Sequence, residues 1–361
     1  MWAMVAKEFR ELRRDRRTVA MMIILPVVLL VVFGYAANFK VHDIAAVTVG
    51  PGARQAATLL RAPTFRVNEV DPGAGEAAAR ARLRDGQDIV AVVTGGGSPL
   101  VLLDGTQLFA VETAETALAH VAPAGSPSVR VQVLYNPELN TSWVVVPGLA
   151  GLIVVFIGTL ITSLGVVRER QSGTLEQLAV MPFRARDVIA GKIAPYLMVA
   201  TVDLVLILLI GINLFHVPFV GNVAVFALGA ALFLLVTLGM GVLISTVSQN
   251  QGQAIQLAFM ILLPQVLLSG LIFPVSSMAA GVRWISYVLP LSYFIQISRG
   301  VMLKGMPITA LWQPLGLLAL LAIAVLGLAI VRFRRDLAPS AGQQDRGEAS
   351  TRARAGEPAA A

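Results

Sequence analysis

The chain has 361 residues, of which 56% are hydrophobic and 14% charged, and its mean hydropathy is +0.76. A soluble domain of this length needs more charge to cover its surface, so the composition excludes one and points to lipid contact. The lack of cysteine excludes disulfides, thiolate metal sites and a cysteine nucleophile. His42, His120 and His216 are too scattered for metal-ligand spacing, so no metal site is expected.

The first 17 residues place Trp2, Val5, Phe9 and Leu12 at helical spacing, with charge on the other face. Two readings stand: a cytoplasmic interfacial amphipathic helix over 1–17, or a solvated start to the first span. Residues 18–37 then form an uncharged apolar run, long enough to span. It is too long for the core of a signal peptide and no small-residue cleavage site follows, so a retained first helix is expected.

Residues 38–143 are different material. The stretch 39–143 has ten acids and eight bases, with many Gly and Pro. Short alternating patterns predict strands at 44–49, 89–93, 100–103 and 129–134, and helices at 53–60, 76–84 and 106–119. A small α/β domain outside the membrane, tethered at both ends, is expected.

Five further apolar runs follow, at 144–167, 193–215, 223–247, 255–273 and 311–331. Residues 284–297 are apolar but short and contain Pro290, so a re-entrant segment over 274–310 is expected. The tail 336–361 is rich in Ala, Gly, Pro, Arg and Glu without apolar period and reads as disordered. The predicted fold class is an integral membrane protein, an all-α six-helix transmembrane domain over 18–37 and 144–335 with an inserted small α/β extracytoplasmic domain.

Orientation follows the basic residues at span ends. Clusters at Lys7–Arg17, at Arg168–Lys192 and at Arg332–Arg335 fall on one side, so both termini are expected in the cytoplasm. Arg283, Arg299 and Lys304 run against the rule.

The only Gly-Lys pair, Gly191-Lys192, lacks the rest of a phosphate-binding loop, and neither a nucleophile elbow nor a zinc-protease motif occurs. No enzymatic site of its own is expected, and no cofactor in this chain. The informative stretch is the loop 168–192. Thr174 and Gln177 make a capping-box pattern, Leu175 and Leu178 share a helical face, and Pro182 ends the turn. The loop is either a lever that docks a cytoplasmic motor or a structured loop that tolerates charge. Asp203 is the one acid inside a span. It is either a cargo or proton site or a structural partner for polar groups such as Gln256 or Gln265.

These residues resemble the ABC-2 type permeases, the membrane subunits of bacterial ABC exporters, and especially the multidrug-efflux branch with a large loop after the first helix. The resemblance rests on Lys7-Glu8-Phe9 with Arg13-Arg14-Asp15, Phe33-Gly34-Tyr35-Ala36, Tyr135-Asn136-Pro137-Glu138-Leu139, and Val146-Pro147-Gly148-Leu149. It rests further on Arg168-Glu169-Arg170 with Gly173-Thr174-Leu175-Glu176-Gln177-Leu178 and Pro182, on Leu289-Pro290-Leu291-Ser292-Tyr293-Phe294, and on Arg299-Gly300. Gln171 stands where relatives often carry an acid.

The resemblance implies a dimer of such chains, identical or paralogous, with two copies of a separate ATPase that binds ATP and Mg. It implies that Glu169, Arg170, Gly173, Thr174, Glu176, Gln177, Leu178 and Pro182 form the ATPase-coupling loop. The interfacial helix around Lys7, Glu8, Phe9, Arg13, Arg14 and Asp15 is then a second contact. A periplasmic adaptor protein is a further implied companion, and the location implied is the bacterial inner membrane. The expected function is export of a hydrophobic or amphipathic, drug-like or lipid-like substrate. The alternatives are a secondary, ion-coupled transporter and a membrane sensor with an external ligand domain. The sequence names no cargo.

Overall fold

The computed structural model describes residues 43–60, 63–95, 97–121, 129–172, 185–272, 274–275 and 278–337. The expected first span, 18–37, and the tail beyond 337 lie outside them.

The chain from 43 to 134 builds a five-stranded sheet flanked by three helices. Its elements are β1 (Ile44–Val49), α1 (Ala53–Leu59), β2 (Phe65–Asp71), α2 (Glu76–Arg84), β3 (Val90–Val93), β4 (Leu100–Asp104), α3 (Leu108–Val121) and β5 (Arg130–Leu134). The strand order is β2-β1-β3-β4-β5, and all pairs are parallel except β3 with β4. Parallel strands need helical crossovers, which cover both faces of the sheet. Period-two alternation therefore sends Ile44, Ala46, Val90, Val92, Val101 and Leu103 to the face under α1 and α3. Val47, Val49, Ala91 and Leu102 go to the face under Ala79 and Leu83 of α2.

Strands β1, β3, β4 and β5 fall within a residue of expectation at each end. The strand β2 was not anticipated. Its apolar residues Phe65, Val67 and Val70 lose the period of two because the register slips where Val67 pairs with Ala46 and Glu69 with Val47.

Among the described residues, seven helices follow: α4 (Thr141–Gln171), α5 (Ala185–Leu214), α6 (Val223–Val247), α7 (Gln251–Leu268), α8 (Ala280–Ser286), α9 (Pro290–Lys304) and α10 (Trp312–Leu337). Five of these, α4, α5, α6, α7 and α10, are long and apolar enough to cross a membrane. Three of the five open on an asparagine cap. Asn140 accepts from Ser142 N (3.1 Å), Asn222 from Ala224 N (2.8 Å) and Asn250 from Gln253 N (2.9 Å).

Among these five spans, α6 is the most buried and packs on α4, α9 and α10, whereas α5 is the least buried. Small residues set the approach between helices. A Cβ on Gly229 would lie 2.7 Å from Ile297 Cγ2, and one on Gly241 would lie 2.8 Å from Thr159 O. The apolar stretch 284–297 is split at Pro290 into α8 and α9. Leu291 and Phe294 pack at Gly151, Ile297 at Gly229 and Val301 at Gly221. Phe294 stacks on Phe233 with ring centroids 4.3 Å apart. Gly305, in the left-handed region at φ 62°, ends α9, with Met306 N donating to Gly300 O (3.0 Å).

Candidate functional site

The expected coupling loop, 168–192, is shorter than its sequence bounds. Helix α4 continues through Gln171 and α5 begins at Ala185. A hydropathy run ends where lipid contact ends, but the backbone keeps its helical bonds beyond it. Of the residues assigned to this site, Glu169 and Arg170 are described. Gly173, Thr174, Glu176, Gln177, Leu178 and Pro182 lie outside the described residues, as do Lys7, Glu8, Phe9, Arg13, Arg14 and Asp15 of the expected interfacial helix.

What is described is a polar knot joining the ends of four helices. Glu169 on α4 forms an ion pair with Lys192 on α5. Arg170 Nη1 donates to the carbonyl of Ser248, the cap that closes α6 (3.3 Å). Gln251 Nε2, at the start of α7, donates to Gln171 Oε1 (3.1 Å). The turn between α6 and α7 is itself fixed: Gln249 N donates to Gln253 Oε1 (2.9 Å), and Ser248 Oγ donates to Ile244 O (2.7 Å). Beside the knot, Val166, Ile189, Ile193, Val242, Ala329 and Phe333 pack into one apolar cluster, which brings in the end of α10. The end of α4 is thus bonded directly to α5, the α6 cap and α7.

Sequence reasoning missed the half of this knot on Ser248, Gln249, Asn250, Gln251 and Gln253. The run carries no charge, so an orientation count passes over it. An asparagine followed by a polar first turn was the available signal.

Asp203 is half-buried on α5. Among the described residues no cation or hydrogen-bond donor reaches its carboxylate, and the expected partners are not its partners. Gln265 belongs to α7 and accepts from Leu291 N of α9 (3.3 Å). Helix α5 packs on α4, α6 and α10, whereas α7 packs on α4, α6, α8 and α9. Asp203 lies beside an outward stripe of exposed Met198, Val199, Val202, Val205, Leu206 and Leu209.

At the other end of the bundle the sheet is tied to the helices. Lys304 at the end of α9 forms a buried ion pair with Asp104 at the end of β4 and donates to Leu83 O (3.1 Å). Its ammonium lies 5.7 Å from the centroid of the Tyr135 ring. Burial first, and the Asp104 charge second, push the Tyr135 phenol up to about 12. Asn136 is fully buried in the link from β5 to α4. Its Nδ2 donates to Gly105 O (3.2 Å) and Asn140 O (3.1 Å), and its Oδ1 accepts from Asn140 N (2.8 Å). Arg299 Nε donates to Val144 O (2.9 Å) and Nη1 to Gly270 O (3.5 Å). Arg283 Nη2 donates to Met278 O (3.1 Å). The three cations that broke the orientation rule are therefore engaged by protein acceptors.

Comparison with known proteins gives a consistent picture. The family model described as ABC-2 family transporter protein matches residues 16–331. The "Probable multidrug ABC transporter permease YbhR" of Escherichia coli (strain K12) is 29% identical over 367 residues, covering 93% of this chain and 99% of the relative. "Probable multidrug ABC transporter permease YbhS" of the same organism is 34% identical over 215 residues, covering 58% of this chain and 57% of the relative. "ABC transporter G family member 20" of Dictyostelium discoideum is 29% identical over 194 residues, covering 54% of this chain and 27% of the relative.

Proposed function

The chain belongs to the ABC-2 transporter family, and from that premise we propose that it is the membrane-spanning permease subunit of an ATP-binding cassette exporter. It moves a hydrophobic or amphipathic substrate out of the cytoplasm or inner leaflet. ATP and Mg are bound by a separate ATPase subunit, and the permease works as a dimer of identical or paralogous chains. A periplasmic adaptor is a further partner. Both termini and the knot end of the bundle face the cytoplasm, and the sheet lies outside.

The observation that carries this reading is the polar knot of Glu169, Arg170 and Gln171 with Lys192, Ser248 and Gln251. The knot flanks the segment 173–184, where Gly173, Thr174, Glu176, Gln177, Leu178 and Pro182 are assigned to ATPase docking. It supports a lever because the segment joins two spans directly and its base is bonded to two more. The basic residues at this end, among them Arg168, Arg170, Lys192, Arg332 and Arg334, favour the cytoplasmic assignment. The relatives named as multidrug permeases favour a drug-like cargo.

The direct test is co-purification with the cognate ATPase and stimulation of its turnover. Glu176→Arg is expected to abolish both while leaving the permease folded in the membrane. Retained binding and stimulation in that variant would show that the docking segment lies elsewhere.

A further inference from the structure

Two cavities meet at Arg299, where the sheet sits against the helices. One, of about 280 Å³, is an apolar groove between α4 and the end of α7, lined by Leu108, Phe109, Leu149, Leu152, Val266 and Ile272. The other, of about 480 Å³, is the more polar of the two and lies between the sheet and α9. Arg299, Gly270, Pro274, Thr106 and Gln107 line both.

The charge balance of the polar cavity is uneven. Its three carboxylates are already matched: Asp85 by Arg84, Asp88 by Arg82 and Asp104 by Lys304. Arg299 has only the carbonyls of Val144 and Gly270 as acceptors, and among the described residues no carboxylate lies within ion-pair distance of it. Two of its five donors are used, and the remaining three have no acceptor among the described residues. Two hydroxyls in the same wall add to the demand. Ser269 and Ser292 are 2% and 3% exposed, both line the polar cavity, and neither hydroxyl oxygen has a hydrogen-bond partner among the described residues. Buried polar groups without partners are rare in folded proteins and call for an occupant. A cation, unmatched hydroxyls and an adjoining apolar groove together define what fits.

We propose that Arg299, Ser269 and Ser292 hold the acidic head of an amphipathic anion, with a phosphate or carboxylate group, whose apolar part lies in the groove between α4 and α7. A planar guanidinium suits such a head because it offers paired donors to two oxygens. The site needs no ATPase, so its test separates from the proposed transport role: it is read on the permease alone.

The experiment uses the full chain purified in dodecyl maltoside and titrated calorimetrically with dodecyl phosphate, with dodecanol as the uncharged match. Saturable binding of dodecyl phosphate, absent for dodecanol, is expected. Arg299→Gln is expected to weaken it about tenfold or more, while Arg299→Lys, which keeps the charge but not the paired donors, is expected to fall between wild type and Arg299→Gln. Leu149→Trp, at a partly exposed position, fills the groove and is expected to weaken binding with Arg299 intact, which covers the case in which Arg299→Gln does not fold. Equal binding by wild type and a folded Arg299→Gln, or equal binding of dodecanol, overturns the site. Lipid extracted from the purified protein identifies the source. A phosphate-headed lipid retained by wild type and lost in Leu149→Trp makes the occupant a resident lipid. Dodecyl phosphate binding with no retained lipid makes it a diffusible ligand.

Discussion

Lys304, at the last turn of α9, forms its ion pair with Asp104, which lies 200 residues earlier at the end of β4. The pair is almost fully buried, with side chains 6% and 2% exposed. Asp104 also accepts from Thr106 N (3.1 Å) and Thr106 Oγ1 (2.7 Å), so its carboxylate is held on both sides. This contact makes the sheet and the helix α9 one mechanical unit.

Removing one member of a buried pair leaves the other charge unmatched, at a cost of about 3–5 kcal/mol. Asp104→Asn and Lys304→Met are each expected to lower thermal stability in detergent by an amount of that order. The double variant is expected to recover much of the loss, because neither charge then remains and Asn at this position still accepts from Thr106. A double variant as unstable as the sum of the singles would show that the pair does not act as a unit.

Asn136 joins the sheet to α4 through three hydrogen bonds that need both an amide donor and an amide acceptor. Asn136→Ala is expected to cost about 2–3 kcal/mol, since Gly105 O, Asn140 O and Asn140 N all lose a partner. Asn136→Asp is expected to be no better, because a carboxylate cannot donate to the two carbonyls. Melting temperatures of the two variants, compared with wild type in one detergent, decide the matter.

Much of the fold was legible because hydropathy and period act locally. Runs of about 20 apolar residues mark spans whatever their neighbours, and alternation marked β1, β3, β4 and β5. The strand β2 escaped because the bulge at Val67–Glu69 breaks the alternation. Neighbour relations were not legible at all. Asp203 reads either as a cargo or proton site or as a structural partner for polar groups such as Gln256 or Gln265, and chemistry alone does not reveal that α7 is not among the helices packed closely on α5. The contacts of Arg299 and Lys304 were not legible either, because their acceptors come from α4, the turn after α7 and the sheet. In the polar knot the sequence pointed to Glu169 and Arg170 but not to Ser248 and Gln251, which become visible only when the end of α4 meets the α6–α7 turn.

Helix packing gives a prediction with opposite signs at two glycines. Gly229 faces Ile297, whose Cγ2 is branched close to the backbone and cannot swing away. Gly229→Ala is expected to lose about 1–3 kcal/mol by overpacking, and Ile297→Ala in the same chain is expected to relieve part of that loss. Gly327 in α10 has nothing within 4 Å of the position an alanine methyl would take. There Gly327→Ala is expected to be neutral or to gain up to about 1 kcal/mol from helix propensity. Thermal melts that shift the same way for both would contradict the close approach of α6 and α9.

The knot at the other end yields the prediction closest to function. Glu169 and Lys192 join α4 to α5 across the base of the segment assigned to docking. If movement of that segment is transmitted through this pair, Glu169→Lys places two cations together and uncouples the helices. The permease is then expected to bind the ATPase with near-normal affinity but to lose at least about tenfold of its stimulation of turnover, because docking and transmission use different residues. Exchange of the two charges, Glu169→Lys with Lys192→Glu, restores the attraction and is expected to recover most of the stimulation. Parallel pull-down and ATPase assays on the two variants separate the roles. Loss of binding together with stimulation would assign Glu169 to the docking surface, and full stimulation in Glu169→Lys would remove the pair from the transmission path.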